Sequence, residues 1–351
     1  MYYTKKSKEA QPNHFISSFM LLFVLIISSS IVTNTTLVYG QANQTIAENA
    51  DLLNIQDIPA KKVHVGDIDI AYKMLGKGDP VLLFNGASDG MDAWDPSFPR
   101  ILSSNHTVIA FDSRGLGNTT SGSKPYTYQQ LANDSAGLLD ALKIPKADVM
   151  GYSLGSYIAE QLAIMYPDKA NSLVLVGSSC GGKDHTPKPP EFIKLQSQIV
   201  NKSLHNIPIT HEEFKSLTAA SLGSGWIKLH PESVDVPANI TTLQQLKPGL
   251  PPEVANNQNN VGKYWEDNPN WTGTCDELAK LDKPTLVITG TDDNLYAPHV
   301  NSLKIASKIP GAWLVQIKNA GHAVVDQYPI ELSKIMNTFL STTAPNNSMI
   351  H

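Results

Sequence analysis

Residues 151–155 read Gly-Tyr-Ser-Leu-Gly. A serine between two glycines can be a plain turn, or a nucleophile held up for attack. The flanking sequence favours the second. A-D-V-M-G-Y runs into Ser153 as a buried strand, and L-G-S-Y-I-A-E-Q-L-A leaves it as a helix. A sharp strand-to-helix turn crowds its own backbone, and Gly151 and Gly155 supply space for it. The turn pushes the Ser153 hydroxyl out at the sheet edge, and the helix N-terminus behind it offers free N–H groups and partial positive charge.

A serine hydroxyl is a weak nucleophile without a base. The chain has ten histidines, most of them in polar loop sequence. His322 stands apart, in N-A-G-H-A-V between the last predicted strand and the last predicted helix. Taken singly it is equally an ordinary loop or capping histidine. The base in turn needs an acid to orient it. T-L-V-I-T at 285–289 exits into G-T-D-D-N-L-Y-A-P, which puts Asp292 and Asp293 at a strand end on the same side of the sheet. Either aspartate also suits a turn or a helix cap. A tetrahedral intermediate requires hydrogen-bond donors. The backbone N–H of Leu154 is one candidate. The loop Asn85-Gly86-Ala87-Ser88, after the buried run V-L-L-F, supplies the other, with the Ala87 N–H favoured over a plain turn.

The elements that must position these groups follow from hydrophobic patterning. K-K-V-H-V-G and D-I-D-I-A-Y-K-M alternate around a tight turn at 65–67, a hairpin that starts the sheet antiparallel. V-L-L-F at 81–84 is a continuous apolar run, as in a strand covered on both faces, and T-V-I-A-F at 107–111 is another buried strand. The segment before Ser153, S-L-V-L-V at 172–176, T-L-V-I-T and A-W-L-V-Q-I at 312–317 read as further strands. Helical segments are expected at 94–102, 128–142, 277–281, after Pro298, and at 324–340. Strand–helix alternation of this kind builds a mostly parallel sheet flanked by helices. Residues 181–272 break the rhythm with Pro, Asn, Lys and Glu and no buried strand run. That is too long for a loop and reads as a helical insertion at the ligand-binding edge of the sheet.

Composition narrows the class. The chain has 351 residues, is 41% apolar and 17% charged, and has a net charge of −5 with no long run of one sign. That is an ordinary globular balance without the basic footprint of a nucleic-acid binder. Lys5, Lys6 and Lys8 precede the apolar run 19–27, and small residues follow, as in a secretory signal cleaved after Gly40 or Ala42. An uncleaved membrane anchor is the alternative. Both put the folded part outside the cytoplasm, behind a polar tether at 43–59, and leave room for membrane association through the N-terminal segment. N-x-S/T sequons recur along the chain and add weak support. The only two cysteines, Cys180 and Cys275, are either one disulfide or two buried thiols. No CxxC or Cys/His cluster points to a metal, and the chemistry above calls for no cofactor.

Taken together, Gly151–Gly155, G-T-D-D and G-H in that chain order, with the turn Asp112-Ser113-Arg114-Gly115-Leu116-Gly117-Asn118-Thr119, resemble the α/β-hydrolase fold family, serine-nucleophile branch. The resemblance spans about Lys61 to Ser341. It implies a hydrolase domain over 60–345 with a helical cap at 181–272 inserted after the sixth strand. It makes Ser153, Asp293 and His322 the catalytic set, with Asp293 preferred to Asp292 because the fourth residue of G-x-x-D acts. One departure is Asn85-Gly86 where the family commonly has His-Gly. The donor there is a backbone N–H, so a shifted loop is expected rather than lost function. The implied activity is hydrolysis of a small-molecule carboxylic ester. Aminopeptidase action on an N-terminal proline, lactone hydrolysis, carbon–carbon bond hydrolysis and cofactor-free perhydrolysis share the same residues. A non-catalytic binding module on the same scaffold is the alternative of a different class.

Overall fold

The computed structural model describes residues 53–343, except 206, 236–249, 269, 295 and 297. The expected signal or anchor at 1–42 and most of the expected tether lie outside the described residues. Among the described residues no helix is long and apolar enough to cross a membrane.

The described strands form one eight-stranded sheet in the order β1-β2-β4-β3-β5-β6-β7-β8. They are β1 (Lys61–Val65), β2 (Ile68–Leu75), β3 (Asp79–Phe84), β4 (His106–Phe111), β5 (Ala147–Tyr152), β6 (Ala170–Val176), β7 (Thr285–Gly290) and β8 (Trp313–Ile317). The hairpin β1–β2 pairs antiparallel, β2 pairs antiparallel with β4, and every later pairing is parallel. The expected antiparallel start and parallel body are both present.

Period-two alternation divides the strand side chains between two apolar layers. On one face Leu82, Phe84, Ile109, Val149 and Leu175 pack under α2 (Tyr128–Ala141), α3 (Leu154–Met165) and α9 (Val300–Lys308). On the other, Val81, Leu83, Met150, Val174 and Ile288 pack under α1 (Ser97–Leu102) and α11 (Pro329–Thr343). Strands covered on both faces need continuous apolar sequence, which is why V-L-L-F and S-L-V-L-V lack polar alternation.

Three local expectations shift. The segment around Trp94 is a short 3-10 turn at Met91–Ala93 followed by α1, with Pro96 between them. The last helix is two pieces, α10 (Val324–Gln327) and α11, because Pro329 offers no N–H to continue the first. The end of the expected tether is docked: Ile55 is fully buried in the second layer, and Gln56 Nε2 donates to the carbonyls of Asp92 and Trp94.

Between β6 and β7 the described chain is helical: α4 (Pro190–Leu204), α5 (His211–Leu222), α6 (Ser224–Leu229) and α7 (Pro252–Asp267). Thr210 caps α5 in a reciprocal box with Glu213. Phe192, Ile199, Phe214, Leu217 and Val254 form a separate apolar cluster, which rests on Leu116 and Tyr296 of the core. A disulfide joins Cys180 to Cys275, 95 residues apart, closing the neck of this segment at the first residue of α8 (Cys275–Leu278). The aromatic residues of the segment are mostly packing groups. Trp265 stacks on Tyr157 of α3 at 4.9 Å, and Trp271 lies against Trp265 at 4.5 Å. Tyr264 is exposed.

Candidate active site

In the sheet order, β3 connects to β4 on one side, whereas β5 lies on its other side. Such a switch point opens a crevice at the carboxyl ends of the strands. The loop after β3 carries Ala87, and the turn after β5 carries Ser153. Phe84 pairs with Gly151, so loop and turn leave the sheet side by side.

Ser153 has φ 53° and ψ −123°, left-handed backbone that a non-glycine residue avoids unless its surroundings enforce it. They do so here by close approach. A Cβ at Gly151 would meet Gly155 O at 2.4 Å, and one at Gly155 would meet Asn85 O at 2.4 Å and Phe84 O at 2.5 Å. The glycines therefore serve the elbow, and Gly155 also seats α3 against the loop that carries Ala87.

Ser153 Oγ lies 2.9 Å from His322 Nε2, and His322 Nδ1 lies 2.6 Å from Asp293 Oδ2. All three are buried: Ser153 is 4% exposed, Asp293 0% and His322 1%. β5, β7 and the loop after β8 thus deliver serine, acid and histidine to one edge. The contact to Asp293 suits an imidazole N–H on Nδ1, which leaves Nε2 as acceptor toward the serine hydroxyl.

Asp292 goes elsewhere. Its Oδ2 accepts from the Gly225 N–H at 2.6 Å and the Ser224 hydroxyl at 3.1 Å, so it ties the start of α6 to the core. The structure thus separates two adjacent aspartates that the sequence leaves close in standing.

The N–H groups of Ala87 and Leu154 carry no hydrogen bond among the described residues. The next donor in the loop, Ser88 N–H, is taken by Gln258 Oε1 of α7 at 2.9 Å. Asn85, which departs from the family pattern, turns inward so that its Nδ2 donates to Gly90 O at 2.5 Å and closes the loop on itself.

Several residues at the site went unread in the sequence. Tyr152 and Tyr296 flank the His322 ring, each with centroids 5.4 Å away, and Tyr152 Oη donates to the His322 carbonyl at 3.1 Å. Burial holds both phenols well above their ordinary pKa, so they remain neutral. Beneath the elbow lie Ser156, Ser178, Glu160 and Thr274, all buried. Glu160 did leave a trace: it is a charged residue inside an apolar helical stripe, two turns beyond Ser153. The turn at 112–119 is a brace. Asp112 accepts from the N–H groups of Met91 and Asn118, and Arg114 pairs with Asp134 and Asp67.

Residues 79–329 match the family model described as alpha/beta hydrolase fold. Among similar proteins, a poly(3-hydroxyalkanoate) depolymerase of Ectopseudomonas oleovorans is 29% identical over 265 residues, covering 74% of this chain and 84% of that protein. The proline iminopeptidase PfmaB of Pestalotiopsis fici is 25% identical over 284 residues, covering 78% and 96%. Among solved structures, a thermophilic esterase from Thermogutta terrifontis superposes with a TM-score of 0.64 at 24% identity, over 82% of this chain and all of that one, a likeness of fold. With the family model matched over most of the folded part, the chain belongs to the alpha/beta hydrolase fold family and is a hydrolase-fold enzyme.

Proposed function

We propose that the protein is a serine hydrolase whose substrate is a small carboxylic ester. The observation that carries this reading is the unbroken relay Ser153 Oγ–His322 Nε2, 2.9 Å, and His322 Nδ1–Asp293 Oδ2, 2.6 Å. His322 takes the Ser153 proton as Oγ attacks the carbonyl carbon. Asp293 holds the ring in the required tautomer and stabilises the imidazolium. The oxyanion forms between the N–H groups of Leu154 and Ala87, reinforced by the N-terminus of α3. Collapse of the intermediate expels the alkoxide, which receives the proton from His322. Water activated by the same histidine then releases the acid and restores Ser153. Each step moves one proton between Oγ, Nε2, the leaving group and water, and no cofactor enters.

The ester class draws support from the depolymerase relative, whose named substrate is a polyester. The iminopeptidase relative keeps prolyl amides in the test. Purified protein is assayed on short acyl esters, lactones and prolyl amides, with Ser153→Ala beside it and a fluorophosphonate label on both. Wild type takes up the label and prefers esters, and Ser153→Ala loses about four to six orders of magnitude in kcat. Turnover that survives Ser153→Ala sinks the reading. An unlabelled, folded wild type favours a binding module on the hydrolase scaffold instead.

A further inference from the structure

Beneath the elbow, four oxygen–oxygen contacts run between Ser153 and the neck of the insertion. Ser153 O lies 2.5 Å from Ser156 Oγ, and Ser156 Oγ lies 2.6 Å from Ser178 Oγ. Ser178 Oγ lies 2.7 Å from Glu160 Oε1, and Glu160 Oε2 lies 2.5 Å from Thr274 Oγ1. Ser156, Ser178 and Glu160 are fully buried, and Thr274 is nearly so. The far end is anchored, since the Thr274 N–H donates to Cys180 O at 2.9 Å, one residue before the bridged Cys275.

Two oxygens at such distances need a hydrogen between them. The run has four contacts, and its three hydroxyls bring three hydrogens. The Ser153 carbonyl brings none, and an ionised Glu160 would bring none either. One contact would then set two lone-pair oxygens against each other in a buried site, a costly arrangement. A proton on Glu160 Oε1 completes the set. The acid donates to Ser178, Ser178 to Ser156, and Ser156 to the Ser153 carbonyl. The single Thr274 hydroxyl hydrogen goes to Oε2 at 2.5 Å rather than to Cys180 O, its longer alternative at 3.1 Å. Each bond polarises the next in the same direction.

We propose that Glu160 is a positioning residue, held as a neutral acid, whose proton completes a hydrogen-bond chain that fixes the strained Ser153 backbone and couples it to the neck of the insertion. This rests on Ser153 being the nucleophile.

The surroundings agree. Burial raises the Glu160 pKa to about 8, offset in part by Thr274 and Ser178, whose hydroxyls can donate to an ionised carboxylate. The titratable groups facing it are Tyr157 on its own helix and Tyr128 on α2, both phenols kept neutral by burial. On α8, packed against α3, Asp276 and Glu277 are exposed, and Asp276 pairs with Lys183. Among the described residues no cation acts on the carboxyl to favour its ionised form. The direction in pH follows. Below the Glu160 pKa the chain is complete. As pH rises through it, one contact loses its hydrogen and the elbow loosens. Folding stability follows the same sign: it falls between the ordinary carboxyl pKa and about 8, where only the folded state keeps the proton, and is level above.

The test uses the full protein. Glutamine presents a donor nitrogen and an acceptor carbonyl, as a neutral acid presents an O–H and a carbonyl, but cannot ionise. Wild-type kcat on a short ester is expected to fall about tenfold between about pH 7 and about pH 9.5, whereas Glu160→Gln stays level, and Glu160→Ala is slow throughout. Infrared spectra of wild type at neutral pH should show a protonated carboxyl band that Glu160→Gln lacks. Titration of the band in isotope-labelled wild type reads the proton even if the variant fails to fold. A carboxylate at neutral pH, a level wild-type profile, or an alkaline fall kept in Glu160→Gln overturns the proposal. Failure of the function reading shows separately, as turnover that survives Ser153→Ala, while the band still reports on Glu160.

Discussion

Ser153 stands between two hydrogen-bonded arms, and each ends on a buried carboxyl. Above it, Oγ leads through His322 to Asp293. Below it, the carbonyl leads through Ser156 and Ser178 to Glu160. The upper arm contains an imidazole, so a proton taken from the serine has somewhere to go and a carboxylate to balance it. The lower arm contains only hydroxyls. It can neither accept a proton nor offset a charge, and its own hydrogen count requires its acid to be neutral. The same residue class, equally buried, is thus assigned opposite tasks by one intervening side chain. On the proposed mechanism, chemistry runs through the arm with the base, and geometry is held by the arm without one.

The strongest way to break this contrast is to neutralise the upper acid. Asp293→Asn keeps the shape but presents an amide to Nδ1, which favours the wrong imidazole tautomer. We expect kcat to fall about 10⁴-fold with the fold retained. Asp292→Asn one residue earlier should leave kcat within a few-fold. It weakens the two bonds to Gly225 and Ser224 and should cost about 1–2 kcal/mol in denaturant unfolding. If the two variants lose activity alike, the assignment of Asp293 fails.

A smaller effect sharpens the lower arm. Ser156→Ala removes the hydroxyl between Ser178 and the Ser153 carbonyl. The backbone bond from Ser156 N–H to Ser153 O, at 2.9 Å, remains, so the elbow is loosened rather than lost. A loss of about tenfold in kcat corresponds to one net hydrogen bond. The alkaline fall expected of wild type should shrink as well, because Glu160 no longer reaches the elbow. A pH profile that keeps its full alkaline limb in Ser156→Ala would detach the lower arm from catalysis.

The upper arm was legible in the sequence and the lower arm was not, for physical reasons. Ser153, Asp293 and His322 each sit at the exit of a strand whose apolar run marks it, so the order of elements alone brings them to one edge. The glycines could be read because a tight elbow admits no Cβ. Asp292 and Asp293 needed the family pattern to rank them and coordinates to separate them, since adjacent residues at a strand exit differ only in where they point. Glu160, Ser178 and Thr274 come from α3, the loop after β6 and the far end of the insertion. No local period links them, and the neck, closed by the disulfide and by the Thr274 N–H bond to Cys180 O, brings Thr274 beneath the elbow. Tyr296 is likewise placed on His322 by packing against Phe192 of the insertion, 4.7 Å between rings, which no strand pattern announces.

The neck offers the mildest perturbation of activity. Replacing Cys180 and Cys275 together by Ser opens a closure of 95 residues. Loop entropy of that size suggests a loss of about 4–5 kcal/mol, read from thermal or denaturant unfolding. Activity at neutral pH should change far less, within about threefold, because Thr274 still holds Cys180 O through its N–H while Glu160 still receives its hydroxyl. The disulfide then acts on the unfolded chain, and the hydrogen bonds act on the folded elbow. A large fall in kcat without a matching fall in stability would reverse that division and make the covalent bridge, rather than Glu160, the tie between insertion and nucleophile.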